Sequence, residues 1–450
     1  MQRTRLRTGI LTVALAAMVP EVAHAAALPQ DVVQLTTSRK PLRGSVTHRD
    51  DNTVVFNPYF STHAAMTWGV DRLPRSRVKA IHRAVPAQED FWLRLGKAKG
   101  SADALLQLVG FCKKSHLRTQ QWVALEWALR AAPSHQAARK EYGTSRADAF
   151  VKRDPLANPE LARALDAWLQ IADPTARLAR TKELIEQFDL PWKSSWFNRV
   201  YRSGKQPRGT THERKLSMHG DTIPGVYTLF VPDSYRPYRP APLLLVLHGG
   251  GRDGNKVIGS GREALTLYIQ SLRRRDFIVV CPNALWTPWA APVNEPMIAA
   301  LLAEIEALFN IDRNREYVAG HSMGGYGTWH YGPKYCDRWA GIGALSGGGS
   351  NGFKKLRDTS TFVYLYHGGN DARVTPGDSR AAARQLLKGG NDFVYTELPD
   401  SGHSCPDSIV DEMLDAFARK RLTIKKRLQV RTRSSFLDKP SKDELQYLGE

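Results

Sequence analysis

From about residue 221, short and continuous apolar runs alternate with longer segments whose apolar residues recur at helical spacing. Such runs predict strands that are buried on both faces, and the longer segments predict helices between them. This alternation favours an α/β fold with a doubly wound, mainly parallel sheet. Strands are predicted at 226–231, 243–247, 277–281, 317–319, 342–345, 362–366 and 393–398, with helices at 297–309 and 380–388.

The start of the chain has the pattern of an export signal. Residues 1–25 combine three arginines, a short apolar run and small residues at Ala23 and Ala25. These are the basic, apolar and cleavage regions of a signal peptide. The apolar run is too short to span a membrane, and no later segment is apolar and long enough to do so. We therefore expect a secreted or periplasmic protein.

Composition changes along the rest of the chain predict several further regions. The first is punctuated by prolines and predicts an irregular segment, and the second has helical periodicity and partly resembles a single tetratricopeptide-type repeat. A stretch with Gly, Pro and basic residues predicts a linker before the α/β domain, and a run of Lys and Arg predicts a basic tail. The predicted boundaries are 26–90 for the irregular segment, 91–200 for the helical domain, 201–220 for the linker, 221–420 for the α/β domain and 421–450 for the tail.

Composition excludes some classes of protein. Hydrophobic residues make up 42% of the 450 residues, which is enough for a buried core and argues against disorder. The net charge of +20 suits an anionic partner, but export disfavours nucleic acid, and a basic soluble surface is the simpler reading. The four cysteines permit one or two disulfides of undetermined pairing in an oxidising compartment. Histidines and carboxylates form no metal-binding motif, so we expect no metal or cofactor.

The clearest catalytic signal is the sequence GHSMG at 320–324, which has the G-x-S-x-G pattern of a nucleophile elbow. An elbow requires a strand, a sharp turn and a helix, and the flanking segments 317–319 and 323–331 predict that order. The turn is so tight that residues two positions either side of the serine must be glycine. It lifts the serine hydroxyl above the strand ends, beside a helix N-terminus. Ser322 is therefore the candidate nucleophile.

A glycine-rich loop, HGGG at 248–251, directly follows a predicted buried strand. Backbone N–H groups of such a loop and the N–H of the residue after the nucleophile form an oxyanion hole. The candidate donors are therefore Gly249, Gly250 and Met323. A phosphate-binding loop would need a different glycine spacing, which does not follow this strand. We expect His248 to order the loop rather than to transfer protons.

An acid and a histidine follow the serine in the required order. Asp371 lies just past one predicted strand, and His403 lies in the loop after the next. His403 would take the proton of the serine, and Asp371 would fix the tautomer of the imidazole. The alternatives are Asp378 or Asp400 as the acid and His367 as the base.

Residues 221–418 resemble the α/β-hydrolases of the poly(3-hydroxybutyrate) depolymerase, feruloyl esterase and predicted-peptidase (prolyl-oligopeptidase-like) group. The resemblance implies an α/β-hydrolase fold and a serine hydrolase without a cofactor. Dienelactone hydrolases are more distant, because their nucleophile is cysteine. The helical region is not part of the family pattern, and a protein partner is one role open to it. The matching segments are VPDSY at 231–235, LHGGG at 247–251, GHSMGGYGTW at 320–329, HGGND at 367–371 and SGH at 401–403.

Substrate contacts are expected from aromatic residues near the carboxyl edge of the sheet, where α/β proteins bind ligands. Trp286 and Trp289 lie there and would stack on a sugar or an aromatic ring, although packing at the rim is an equal alternative. His321, beside the nucleophile, is a further candidate for lining the cleft. We expect a serine hydrolase that cleaves carboxylic esters, for example on an extracellular polymer. The alternatives are a prolyl-oligopeptidase-like serine peptidase and an envelope binding protein built on an inactive hydrolase domain.

Overall fold

A computed structural model describes residues 30–37, 42–49, 53–57, 71–84, 87–98, 100–216, 225–253, 256–349, 352–357, 359–389, 391–398 and 400–422. The expected export signal at 1–25 lies outside the described residues, as does the basic tail beyond residue 422. The two described residues of the tail pack on the domain. Arg421 donates to Asp312 at 3.0 Å, and the backbone N–H of Leu422 donates to the carbonyl oxygen of Asn314.

An eight-stranded sheet organises the second half of the chain. Its first six strands in spatial order are parallel to one another. The seventh strand pairs antiparallel with the sixth, and the eighth pairs antiparallel with the seventh. The predicted doubly wound, mainly parallel sheet preceded by a helical region is therefore confirmed. In spatial order the strands are β15 (Phe393–Leu398), β14 (Phe362–Gly368), β13 (Gly341–Leu345), β12 (Ile311–His321), β8 (Ala241–Leu247), β11 (Ile278–Pro282), β7 (Val226–Val231) and β6 (Gly209–Lys215).

Helices cover both faces of this sheet, which explains its unbroken apolar strands. Along β8, Leu243 and Leu245 face one helical layer, whereas Leu244 and Val246 face the other. Successive side chains of a strand point to opposite faces, so both sets are buried. One layer holds α10 (Asn294–Leu308), α11 (Met323–Lys334), α12 (Phe353–Leu356) and α13 (Gly377–Gly389), and the other holds α9 (Gly261–Leu272) and α14 (Asp407–Ala418). A short hairpin, β9 (Gly251–Asp253) and β10 (Lys256–Ile258), follows β8.

The prediction of an irregular segment at 26–90 is wrong for its described residues. They form a five-stranded antiparallel sheet, in which the first strand pairs with the last as well as with the second. Pro74, one of the prolines that suggested loops, is the last residue of a short strand. The strands are β1 (Gln30–Leu35), β2 (Leu42–Arg49), β3 (Thr53–Asn57), β4 (Asp71–Pro74) and β5 (Val78–Ala84), in the order β4-β3-β2-β1-β5.

The helical region contains two apolar clusters. One lies among the first five helices, and the other joins the last three helices to Tyr238, which follows β7. Asn158 and Asp173 cap two of these helices, each with proline at the next position. The helices are α1 (Ala87–Ala98), α2 (Ala102–Lys114), α3 (Arg118–Ala131), α4 (Gln136–Tyr142), α5 (Thr144–Arg153), α6 (Pro159–Gln170), α7 (Pro174–Phe188) and α8 (Ser194–Gly204).

The linker predicted at 201–220 is wrong for most of its described residues. Its first residues complete α8, and Gly209–Lys215 forms β6, the edge strand that pairs with β7. The sequence of β6, GTTHERK, is polar because an edge strand is largely exposed to solvent. It therefore lacks the apolar run that marks the other strands of the sheet.

All four cysteines are described and have free thiols, so the structure contains none of the disulfides that the sequence permitted. Burial raises the pKa of Cys112 and of Cys336 to about 11, and it raises the pKa of Cys281 further. These thiols therefore stay protonated at neutral pH, and they behave as apolar core residues. Within the described ranges, no helix has both the length and the apolar character needed to cross a bilayer.

Candidate active site

Ser322 sits at the sharp turn between β12 and α11. Its backbone has φ 57° and ψ −120°, an unusual conformation for a residue other than glycine. The turn is held because the N–H of Ser322 donates to the carbonyl oxygen of Leu345 at 2.9 Å. A Cβ on Gly324 would lie 2.0 Å from the carbonyl oxygen of Leu247, and one on Gly320 would lie 2.5 Å from Gly324. Both glycines of the motif are therefore required by the close approach of the backbone.

The structure brings together the three residues that the sequence predicted as a triad. Ser322 Oγ lies 2.9 Å from Nε2 of His403, and Nδ1 of His403 lies 2.8 Å from Oδ2 of Asp371. A carboxylate only accepts hydrogen bonds, so Nδ1 carries the proton of a neutral imidazole. The lone pair of Nε2 then faces the hydroxyl of Ser322.

Asp371 is held as an anion in a buried site. Its side chain has no exposed surface, and its Oδ1 accepts hydrogen bonds of 2.9 Å from the N–H groups of Arg373 and Val374. Burial acts to raise the pKa of this carboxyl. The N–H of Val374, the side chain of His403 and the N–H of Arg373 outweigh burial and hold the pKa below its ordinary value.

The alternative acid and base occupy other positions. Asp378 lies in the first turn of α13, and the contact to Nδ1 of His403 comes from Asp371. His367 is fully buried; its Nε2 lies 2.8 Å from the carbonyl oxygen of Val374, and its Nδ1 lies 2.7 Å from Oγ of Ser379. Burial lowers the pKa of His367. This histidine therefore supports the turn that carries Asp371.

The HGGG loop lies against the elbow. A Cβ on Gly249 would stand 3.6 Å from Cβ of Ser322, so the loop backbone passes close to the serine. Met323 begins α11, and the first N–H groups of a helix have no partner within it. These positions suit oxyanion donors, and the assignment of Met323, Gly249 and Gly250 to that role stays a prediction.

His248 orders this loop through both ring nitrogens. Nε2 accepts a hydrogen bond from the N–H of Ala284 at 2.9 Å, so Nδ1 carries the proton and donates to the carbonyl oxygen of Gly249 at 2.5 Å. The indole of Trp289 donates to the carbonyl oxygen of His248 at 2.9 Å. The expectation that His248 orders the loop agrees with these contacts.

The chain is similar in sequence to several esterases. A probable feruloyl esterase C of Aspergillus niger is 28% identical over 181 residues, which are 39% of this chain and 66% of that protein. An esterase of Mycobacterium tuberculosis is 35% identical over 213 residues, which are 44% of this chain and 41% of that protein. The chain thus spans less than two thirds of the length of either relative. No protein-family profile matches it.

These similarities agree with the strand order and the elbow described above. Together they support an assignment of this chain to the α/β-hydrolase superfamily. A solved ferulic acid esterase aligns with 47% of this chain and 98% of its own chain, at 19% identity and a TM-score of 0.39. The expectation of an ester hydrolase agrees with the names of the relatives.

The two tryptophans expected to bind substrate have different environments in the structure. Trp289 is only 1% exposed, packs edge-on against His248 and accepts a hydrogen bond on its carbonyl oxygen from Tyr331. A substrate role for Trp289 is therefore wrong, because the ring is part of the core beneath the loop. Trp286 is 61% exposed, with φ 59°, and stays a candidate for substrate contact.

Sequence reasoning missed the residue that fixes the loop of Trp286. Asn294 is fully buried, accepts from the N–H of Leu285 at 2.9 Å, and donates to Oγ1 of Thr287 and the carbonyl oxygen of Pro288 at 3.0 Å. Asn294 follows the loop in sequence and is the first residue of α10. From the sequence alone, a single asparagine at this position predicts only the start of a helix. The loop is therefore built to present Trp286 in a fixed position.

His321 makes a different contact from the one expected. Its Nε2 donates to the backbone carbonyl oxygen of His403 at 2.6 Å, and the two imidazole rings lie 4.9 Å apart between centroids. This nitrogen is engaged by the loop of His403. The expectation that His321 lines the cleft stays a prediction. Among the described residues, no group of three or more His, Cys, Asp or Glu side chains could hold a metal ion.

Proposed function

We propose that this hydrolase cleaves carboxylic esters through an acyl-enzyme on Ser322. The observation that supports the proposal most directly is the 2.9 Å approach of Ser322 Oγ to Nε2 of His403. A serine hydroxyl is a poor nucleophile until a base removes its proton, and an unprotonated Nε2 at this distance is such a base.

The first half of the reaction acylates the serine. His403 accepts the proton as Ser322 Oγ bonds to the carbonyl carbon of the ester. Asp371 stabilises the imidazolium that forms, and the N–H groups of Met323 and the 249–250 loop stabilise the oxyanion. The tetrahedral intermediate then collapses, the bond to the alcohol oxygen breaks, and His403 gives its proton to that oxygen. The alcohol leaves, and the acyl group stays on Ser322.

The second half of the reaction repeats these steps with water. His403 takes a proton from the water as it attacks the acyl-enzyme, and the same N–H groups stabilise the second oxyanion. The bond to Ser322 Oγ then breaks, and His403 returns the proton to the serine. The carboxylic acid leaves, and the enzyme is restored without any cofactor taking part in this scheme.

We extend the proposal to esters with an apolar or aromatic group, attached to a larger alcohol such as a polymer. Three partly exposed apolar side chains border the elbow and its loops. Trp286 lies on the loop after β11, Ile258 packs on Gly251 of the HGGG loop, and Tyr326 lies one helical turn after Ser322. Relatives named feruloyl esterase support the same substrate class. Secretion or a periplasmic location is part of this proposal, and it rests on the sequence of residues 1–25.

The test is labelling of the mature protein with a fluorophosphonate probe, followed by a panel of p-nitrophenyl esters, feruloyl esters and peptide amides. We expect wild-type protein to be labelled and to cleave esters, and Ser322→Ala to do neither. Ser404→Ala is the control, because it removes a serine one residue from His403 and should leave labelling intact. Absence of labelling in folded wild-type protein would refute the proposal. Labelling with cleavage of amides but not esters would favour a peptidase.

A further inference from the structure

His321 and Ser322 are consecutive residues that hold His403 at two points. Ser322 Oγ contacts Nε2 of the His403 ring at 2.9 Å, and Nε2 of His321 donates to the backbone carbonyl oxygen of His403 at 2.6 Å. The two contacts and the peptide link between His321 and Ser322 close a small ring of interactions around the base.

We propose that His321 is a positioning residue of this hydrolase, which sets the distance between the nucleophile and the base by anchoring the loop of His403. The inference rests on the proposed function, since it assumes that Ser322 and His403 perform the reaction. It assigns to His321 a role through His403, without contact to the substrate.

The topology explains why such an anchor is needed. Ser322 follows β12, whereas His403 follows β15, and β13 and β14 separate these two strands in the sheet. No ladder of backbone hydrogen bonds therefore joins β12 directly to β15. The distance between serine and histidine has to be fixed by contacts above the strand ends.

Contacts from β14 and the turn after it secure the same loop on the side of the acid. The hydroxyl of Tyr366 donates to the carbonyl oxygen of Ser404 at 3.0 Å. The N–H of Asn370 donates to the carbonyl oxygen of Ser401, also at 3.0 Å. These contacts tie the loop to the segment that carries Asp371. His321 supplies an attachment on the side of the nucleophile.

The protonation of His321 fits this role. Its partner is a carbonyl oxygen, so Nε2 must carry a proton. Burial lowers the pKa of His321, and the ring is therefore neutral at pH 7. A neutral ring 4.9 Å from His403 adds no positive charge beside the imidazolium that forms during the reaction.

The test compares variants that differ in the donor at the position of Nε2. His321→Phe keeps a planar ring and removes the donor, whereas His321→Gln places an amide N–H close to the same point. His330→Phe is the matched control, because His330 is a partly buried histidine of α11 that packs against Tyr331. The measurements are kcat and KM for a p-nitrophenyl ester, the rate of fluorophosphonate labelling, and the melting temperature.

A misplacement of about 1 Å can cost about 100-fold in rate. We therefore expect His321→Phe to lower kcat and the labelling rate together by about 10- to 100-fold, with KM within about twofold of wild type. His321→Gln should recover most of kcat, and His330→Phe should behave as wild type. If His321→Phe does not fold, His321→Asn replaces it, because its shorter side chain withdraws the donor.

Two results would overturn the inference. One is a folded His321→Phe with wild-type kcat. The other is an equal loss of kcat in His321→Phe and His321→Gln, which would indicate that bulk or ring character matters and not the donor. Failure of the proposed function is distinguishable from both, since wild-type protein itself would then be neither labelled nor active.

Discussion

The backbone N–H of Ala284 donates a 2.9 Å hydrogen bond to Nε2 of His248. This contact joins the loop after β8, which carries the glycines proposed to bind the oxyanion, to the loop after β11, which carries Trp286. It also requires an unprotonated Nε2, because an imidazolium has no lone pair with which to accept. Protonation of His248 would therefore break the link between the two loops.

Stability should fall in mildly acidic solution. Burial lowers the pKa of His248 and of His367 below the ordinary value of 6.5. The unfolded chain then binds more protons than the folded chain between pH 6.5 and the lowered pKa values. The stabilising contribution of the two neutral histidines is complete above pH 6.5. As the pH falls through this window, the free energy of unfolding decreases by at most about 1.4 kcal/mol per pH unit for each histidine.

Urea unfolding at pH 5, 6, 7 and 8 measures this dependence, with the pH values chosen to bracket the histidine range. His248→Gln should reduce the slope of the free energy of unfolding against pH, because one titrating group is removed. The control is His116→Gln, which removes a histidine at an exposed site. An unaltered slope in His248→Gln would contradict the prediction.

The acid of the triad should be identified by an isosteric change. Asp371→Asn should lower kcat by about 10³- to 10⁴-fold, because an amide no longer fixes the productive tautomer of His403 or stabilises its charge. Asp378→Asn is the control and should keep most of kcat. Steady-state kinetics on a p-nitrophenyl ester measure both. A large loss in Asp378→Asn with activity retained in Asp371→Asn would reverse the assignment.

Gly324, two positions after the nucleophile, should not tolerate a methyl group. Gly324→Ala would force its Cβ within 2.0 Å of the carbonyl oxygen of Leu247, so the elbow must shift or the protein must unfold. We expect a loss of soluble protein, or a free energy of unfolding lower by about 3 kcal/mol or more. At Gly402, beside His403, an added Cβ meets no atom within 4 Å, and Gly402→Ala should fold normally. Equal melting temperatures for the two variants would refute this account.

The two tryptophans should separate substrate binding from stability. Trp286→Ala should raise KM for aromatic esters several-fold with little change in melting temperature, because the indole is 61% exposed. Trp289→Ala should lower the free energy of unfolding by about 3–5 kcal/mol, because it removes a buried ring and the donor to His248. Michaelis–Menten kinetics and urea unfolding measure the two effects. A change in KM confined to Trp289→Ala would contradict the assignment.

The sequence was sufficient for most of the central sheet and for placing Ser322, Asp371 and His403 after strands, for a physical reason. Strands such as β7 and β15 are short apolar runs bounded by turns, and the serine, acid and histidine each follow a strand that such runs reveal. The start of β12 was less visible, because it begins at Ile311 with polar residues and only becomes apolar at Tyr317. A run of apolar residues predicts a strand in full only when the strand is buried along its whole length.

The remaining features depend on contacts between distant parts of the chain. The strands at 30–84 and the polar edge strand β6 form by pairing, which a local pattern does not report. Likewise, nothing in the sequence around Trp289 indicates that its ring would be buried beside His248. The contact of His321 with the backbone of His403 joins residues on different strands, and so it required the structure.

The shared packing at α8 limits how this chain can be divided. Ser203 of α8 contacts the hydroxyl of Tyr235, Tyr238 lies in the apolar cluster of α6, α7 and α8, and β6 continues directly from that helix into the sheet. An expression fragment that starts at residue 221 would lose its edge strand and expose the apolar side of these aromatic residues. The half of the chain that carries Ser322 is thus packed against the helical region, and a stable fragment should begin before α8.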